Sequence, residues 1–513
     1  VRRCAVAAAI ALAACGTDAA PAGVARSRAE LFGERVIPRF ELELDDAARA
    51  ALAADPKQWV RATFRYAGVT YADVGVRWKG NRSRQGLRGK PSWKIRFDKF
   101  VKKRRFLGVK ELVLNNLVED PTAVREALGY RLHRDLGVAA PRTGWAQLVV
   151  DGQDFGMYLD LEAIGGDLLE RAYGDDDGTL YEGEFGCDLY PDDAPRFEQD
   201  GGDDQGHADL IALATLAERE PARLWASDGP LDRARVAAFL AVSAVIGDFD
   251  GYRHAHNYRL HHDRTTDRWS LLPWGLDRTF RQHLDLTDSG GRLATACFAD
   301  AGCRAAYAAA VARAADRLEA LVADRTLERW FVMVDAAGRA DPRRPADAAE
   351  VKQARAALRR FVRERPAEVR AQLPCLGATP PASCPTAPPV ACDPLAIGDA
   401  TFELCAPALT WPDAEAACVA RGRHLARVDD EGQATALAAA AKARGKDRYW
   451  IGLSDRGAEG AWAWADGQPA TFTRFGKGQP DDFACGEDCV GLRPKDGNWG
   501  DAHCMQRRPF VCR

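Results

Sequence analysis

Most of the chain's cysteines lie between Cys375 and Cys512, and they begin inside a stretch, residues 373–399 (LPCLGATPPASCPTAPPVACDPLAIGD), that concentrates proline with small residues. This pairing constrains the fold more than any other feature. A proline-rich segment without helix or strand periodicity reads as a stiff, extended linker. The cysteine-dense segment beyond it reads as a small disulfide-bonded domain made in an oxidising compartment. The short intervals Cys297 to Cys303 and Cys375 to Cys384 suit local clasps, and no CxxC occurs to support a zinc ribbon. The 513 residues therefore divide into a large segment, 24–373, a linker, 374–393, and a compact tail, 394–513.

Residues 1–14 have the character of an export signal. Two arginines precede an apolar run from Cys4 to Ala14 that ends in small residues and is too short to span a bilayer. Leu12-Ala13-Ala14-Cys15 resembles a bacterial lipobox, which implies cleavage before Cys15 and a lipid-modified cysteine. Acyl chains there would tether the chain without a membrane-spanning helix. Gly16, rather than an acid, follows Cys15, which favours the outer membrane or surface of a bacterium. With a formal net charge of −3, the whole chain makes no electrostatic case for nucleic acid.

Within the large segment, strand patterns come first and helix patterns later, the order of an α+β fold. In SWKIRF the residues Trp93, Ile95 and Phe97 alternate with Lys94 and Arg96, so the apolar set faces one way. TGWAQLVVDGQDFGMYLDLEAI reads as a hairpin turning at Asp151-Gly152. Asp120 and Pro121 announce a helix with Gly137 as its terminator and Val124, Leu128 and Leu132 as its apolar stripe. The charged run Lys99 to Phe106 reads as a solvated hairpin tip, and Asp175 to Asp177 as a loop without the remaining ligands of an EF-hand.

The run GDFDGYRHAHNYRL, residues 247–260, followed by LLPWGLDRTF, supplies Asp250, Asn257 and Asp277 in order. Phosphoryl transfer asks for an acid to accept the nucleophile's proton, then oxygen ligands to hold a divalent metal against the phosphates. A hairpin across DRTTD would bring Asn257 and Asp277 to one site. Asp248 reads as a cap of a helix or turn, and His254 and His256 as solvent-facing or hydrogen-bonded rather than metal-binding.

These pieces resemble the CotH (spore-coat protein H) kinase family, atypical protein kinases with a distant kinase-like fold. VGVRWKGNRSR, PSWKIRFDKF, LVLNNLVEDPTAVREALGYRLHRDLGVAAPRT, GMYLDLEAI, LYEG and the two runs above come in family order over about residues 40–285. The resemblance implies Asp250 as catalytic acid/base and Asn257 and Asp277 as ligands of Mg²⁺ or Mn²⁺ with ATP. It leaves Lys79 and Lys94 both as candidates for phosphate contact, with Glu126 placed to orient such a lysine. Where the family often reads Pro-Trp-Asp-x-Asp, this chain has Gly275 at the first acid.

The tail resembles a C-type lectin-like domain through LTWPDAEAAC, HLARVDDEGQ, YWIGLSDRGAEGAWAWADG, GQPDD, GEDCVGL, DGNWGDAHC and FVC. The resemblance implies disulfides Cys418–Cys512 and Cys489–Cys504, and leaves Cys392, Cys405 and Cys485 unassigned. Gln479, Asp481, Glu487 and Asp501 match the positions that hold Ca²⁺ in sugar-binding members, while Gly500 stands where the family has an Asn. Trp462, Trp464 and Trp499 read as core. The expected function is an exported, lipid-anchored protein serine or threonine kinase, directed to a protein substrate or glycan by its tail. Its rival is a pseudokinase scaffold that displays a carbohydrate- or protein-binding module.

Overall fold

The computed structural model describes residues 25–80, 85–202, 206–286, 291–376, 391–445, 447–456, 460–482, 487–504 and 506–513. Residues 1–24, with Cys15 and the expected signal, and most of the expected linker lie outside that set. The fold is mixed helix and strand, as predicted. It divides into two compact units that interleave along the chain. The first takes residues up to Leu117, Thr143–Leu161 and Glu328–Pro345, and the second takes the rest.

The first unit is a closed barrel of strands β1 (Arg39–Glu43), β2 (Val60–Tyr66), β3 (Val69–Lys79), β4 (Ser92–Arg96), β5 (Glu111–Asn115), β6 (Thr143–Val150) and β7 (Gln153–Glu162). Alternation decides which side chains enter it. Trp93, Ile95 and Phe97 are fully buried. Phe97 stacks on Phe106 at 5.0 Å, and Phe64 meets both rings edge-on at 5.1 and 5.0 Å. Phe106 is thus a core residue at the end of the expected hairpin tip, while Lys102 and Lys103 are exposed. The β6–β7 hairpin turns at Asp151 and Gly152, with φ of +50° and +77°, the positive pair a two-residue turn requires.

In the second unit the helix announced by Asp120 opens only at Arg125 and runs to Asp135. Ala123, at φ +64°, breaks the helical path before it. Asp120 still serves the helix start, because its carboxylate accepts from the Arg125 amide at 2.8 Å. Gly137, at φ +84°, follows the last turn as predicted. A four-stranded sheet is built from β8 (Gly178–Glu182), β9 (Glu198–Gly201), β10 (Tyr258–Asp263) and β11 (Arg268–Pro273), in the order β11-β10-β8-β9. Helices Arg233–Val245, Ala301–Ala323 and Ala348–Gln372 belong to the same unit, and Cys297–Cys303 clasps the start of the second.

The tail forms its own sheet of β12 (Cys392–Ile397), β13 (Ala400–Leu409), β14 (Tyr449–Ser454), β15 (Ala463–Trp464), β16 (Cys489–Leu492), β17 (Trp499–Ala502) and β18 (Arg508–Cys512). It begins two residues before the expected boundary at 394, because β12 pairs along its whole length with β13. Disulfides Cys418–Cys512 and Cys489–Cys504 form as expected, and Cys392 pairs with Cys405. Cys187 and Cys375 are disulfide-bonded as well. Trp464 and Trp499 are buried in the core, with Trp462 packed at its edge. Among the described residues no helix is long and apolar enough to cross a membrane.

Candidate active site and cation site

The catalytic candidates sit where the helix Arg233–Val245 gives way to strand. Gly247, at φ +67°, turns the chain out of the helix, and Ala255 and Asn257, at φ +47° and +50°, turn it again into β10. The hairpin register then matters. Tyr258 stands opposite Pro273, so the next residues outward, Asn257 and Trp274, meet through a Trp274 amide bond to the Asn257 carbonyl of 3.1 Å. One step further lie Gly275 and the 3₁₀ turn Leu276–Arg278, which carries Asp277.

Asn257 donates from Nδ2 to the Asp250 carbonyl at 2.9 Å. Arg278 approaches the Asp250 carboxylate at 3.4 Å and His256 at 3.6 Å. Burial pushes the Asp250 carboxyl up, but the neighbouring His256, Arg278 and His254 together hold it below the usual carboxylate range. It is therefore an ionised acceptor at neutral pH. Asp248, two residues earlier, is 4% exposed. Burial first, then the Asp250 charge, raises its pKa to about 8. Its carboxylate curls over the turn, 2.1 Å from where a side chain on Gly251 would begin. The structural reading of Asp248 fits this position.

Gly275 is required by this packing. Its φ is +61°, and a Cβ there would stand 3.0 Å from both Cγ and Oδ1 of Asn257. With its nitrogen committed to Asp250, Asn257 has its amide oxygen left for another partner. Oxygen donors from an amide and a carboxylate are the set a hard divalent cation takes, and Asn257 and Asp277 carry those two donor types; the Asp277 charge is felt at Arg125 and Tyr130. Glu126 is buried and hydrogen-bonds the Tyr130 hydroxyl at 3.3 Å, and that hydroxyl accepts from the Gly275 amide at 3.1 Å. Tyr130 and Arg278 are thus support residues that sequence reasoning did not single out; Tyr130 lies within the matched EALGYRL run. In the barrel unit Lys79 bonds Asn115 and Lys94 approaches Glu111 at 3.9 Å. Lys90 is buried against Asp341.

His254 bonds the Phe249 carbonyl, as expected of a hydrogen-bonded histidine. The acids that do cluster are in the tail. Asp481, Glu487 and Asp501 offer ligand oxygens all within 4.8 Å of one another, the one such group among the described residues. Asp501 is 2% exposed. Its Oδ2 accepts from the amides of Asp481 and Asp482, both at 2.9 Å, and its Oδ1 is buried without a hydrogen-bond partner among the described residues. Burial raises the Asp501 pKa. A buried carboxylate oxygen without a donor, beside two more acids, fits a cation such as Ca²⁺. Gln479 hydrogen-bonds Asp481, and its amide oxygen fills the space opposite Gly500, 2.4 Å from where a Cβ would stand.

Residues 76–305 match the family model for CotH kinase protein, and residues 408–513 match that for the C-type lectin domain. The chain carries a CotH kinase domain and a C-type lectin domain. Over 106 residues the C-type lectin domain is 34% identical to the galactose-specific lectin nattectin of Thalassophryne nattereri, covering 20% of this chain and 67% of that protein. It is 35% identical over 111 residues to C-type lectin domain family 4 member F of Mus musculus, of which it spans only 19%. The mouse scavenger receptor C-type lectin carbohydrate-recognition domain is 28% identical, with a TM-score of 0.22, covering 23% of this chain and 91% of that chain. In the CotH kinase domain the matched span contains Asp250, Asn257 and Asp277. In the C-type lectin domain it contains the three clustered acids and both expected disulfides.

Proposed function

We propose that this protein is a metal-dependent kinase that moves the terminal phosphoryl group of ATP to a serine or threonine hydroxyl of a protein, with its C-type lectin domain holding it to a glycan or protein ligand. The contacts of Asn257 and Arg278 with Asp250, with Asp277 next to Arg278 in the same 3₁₀ turn, support the reading. Asp250, kept ionised by burial-opposing contacts with His256 and Arg278, accepts the proton of the attacking hydroxyl. Arg278 and His256 hold its carboxylate in place for that transfer. Asn257 and Asp277 would hold Mg²⁺ or Mn²⁺, which when bound neutralises charge on the phosphates. Lys79 and Lys94 remain the candidates for phosphate contact on sequence grounds. In the C-type lectin domain, Asp481, Glu487 and Asp501 would hold a Ca²⁺ that presents itself to sugar hydroxyls. We also propose export, with lipid attached at Cys15 as a membrane tether; the disulfides of both domains support an oxidising compartment.

The test is phosphate transfer from labelled ATP by the full chain with Mg²⁺ or Mn²⁺, beside Asp250→Ala and Asp277→Ala, with a generic protein acceptor and autophosphorylation both followed. Label incorporated by the wild type and lost in both variants supports the kinase. No label and no nucleotide-dependent rise in melting temperature refutes it. Gly275 favours a second reading, a scaffold that binds nucleotide without turning it over. A rise in melting temperature with ATP, unaccompanied by transfer, selects that reading.

A further inference from the structure

Residues 184–196 form a strap with contacts on both sides. On one side it holds the loop that carries Asp250 and Asn257. The Gly186 amide donates to the Ala255 carbonyl at 2.9 Å, and the Phe185 ring meets the His256 ring at 4.9 Å. The Tyr258 hydroxyl donates to the Cys187 carbonyl at 2.7 Å, and the Tyr252 hydroxyl to Asp188 at 3.0 Å. Four contacts over residues 252–258 thus fix the segment in which Ala255 and Asn257 take left-handed backbone angles. Such angles persist in non-glycine residues only when their surroundings enforce them.

On the other side the strap meets the C-type lectin domain. His503 is 8% exposed and donates to the Gly186 carbonyl. The contact is close enough that a Cβ on Gly186 would stand 2.4 Å from the His503 ring. Arg196 pairs with Asp482 at 2.9 Å, and Arg456 lies over the Tyr190 ring at 5.8 Å. Gly186 is the meeting point. Its amide serves the kinase loop and its carbonyl serves the C-type lectin domain, and its φ of +95° lets one residue face both.

We propose that the C-type lectin domain is a working part of the kinase site, with His503 as a positioning residue that acts through Gly186 on the turn bearing Asp250 and Asn257. The catalytic loop is braced from outside its own domain, and the strap is the brace. This deepens the kinase reading and rests on it for the catalytic consequence, while the brace itself is measurable without turnover.

The experiment uses the full chain with His503→Ala, which removes the donor, His503→Gln, which keeps an N–H there, and Gly186→Ala, which crowds His503 out. Amide hydrogen exchange is followed at Gly186 and over residues 250–258, with β14 as the internal reference for an intact C-type lectin domain. His503→Ala and Gly186→Ala are expected to speed exchange over 250–258 about tenfold, the scale of one lost hydrogen bond, with β14 unchanged. The kcat for phosphate transfer is expected to fall about tenfold with the KM for ATP unmoved, and His503→Gln to restore both. Unchanged exchange over 250–258 in both disruptive variants overturns the brace, even where transfer is active. Faster exchange without any transfer by the wild type keeps the brace and removes the kinase reading instead. Faster exchange with unaltered kcat overturns the positioning role.

Discussion

Replacing Gly275 by alanine tests the packing on which the metal-binding turn depends. Two effects add. A side chain at φ +61° in the left-handed region costs about 1 kcal/mol. A Cβ 3.0 Å from Asn257 Cγ and Oδ1 forces that amide to move, which endangers its 2.9 Å bond to the Asp250 carbonyl and adds about 1 kcal/mol. The sum, about 2 kcal/mol, corresponds to a fall in melting temperature of about 3 °C for a unit as large as the second one. Gly137→Ala is the control. Its φ is +84° with nothing within 4 Å of the added Cβ, so it carries the backbone penalty alone and should fall about half as far. Thermal unfolding by circular dichroism on the full chain reads both, and phosphate transfer should drop further in Gly275→Ala because Asn257 is displaced. Equal shifts for the two substitutions would refute the claim that Asn257 dictates a glycine there.

Three further outcomes are expected. Lys90 and Asp341 are 2% and 3% exposed and lie 2.5 Å apart, so Asp341→Asn should destabilise the barrel unit by about 3–5 kcal/mol in urea unfolding; the pairing is not structural if the midpoint stays put. Ca²⁺ at millimolar concentration should raise the melting temperature of the wild type but not of Asp501→Asn, since Asp501 brings the buried, partnerless oxygen; a rise that survives the substitution would place the ion elsewhere. His133 is fully buried, and burial lowers its pKa from an unfolded value near 6.5 to about 4. Because the folded state disfavours the proton, its contribution is full above pH 6.5 and is lost progressively as pH falls toward 4. His133→Gln should therefore flatten the stability profile across that window, and an unchanged slope would assign acid sensitivity to other groups.

What could be read from sequence was whatever depends on neighbours a few positions away. The alternation of Trp93, Ile95 and Phe97 put them on one face of β4 because successive strand residues point oppositely. The Asp151-Gly152 turn followed from which residues accept positive φ. The paired cysteines of the C-type lectin domain and the order Asp250, Asn257, Asp277 were legible through their family runs. So was the β10–β11 hairpin that carries Asn257 toward Asp277.

Only the tertiary structure decided what depends on distant chain segments. Arg125 and Glu126 lie outside the helix's apolar stripe, yet both are buried, because Asp120 and Tyr130 supply polar partners inside. Lys90 finds Asp341 across 251 positions, a pairing that no local pattern encodes. Gly275 looked like a lost ligand and proved also to be a gap that Asn257 fills. The strap at Gly186 joins residues 255 and 503. Local propensity and spacing act through the chain's own covalent geometry, so they are written in order along it. Burial, buried charge pairs and close backbone approaches arise only when folding brings remote residues together and removes the water between them.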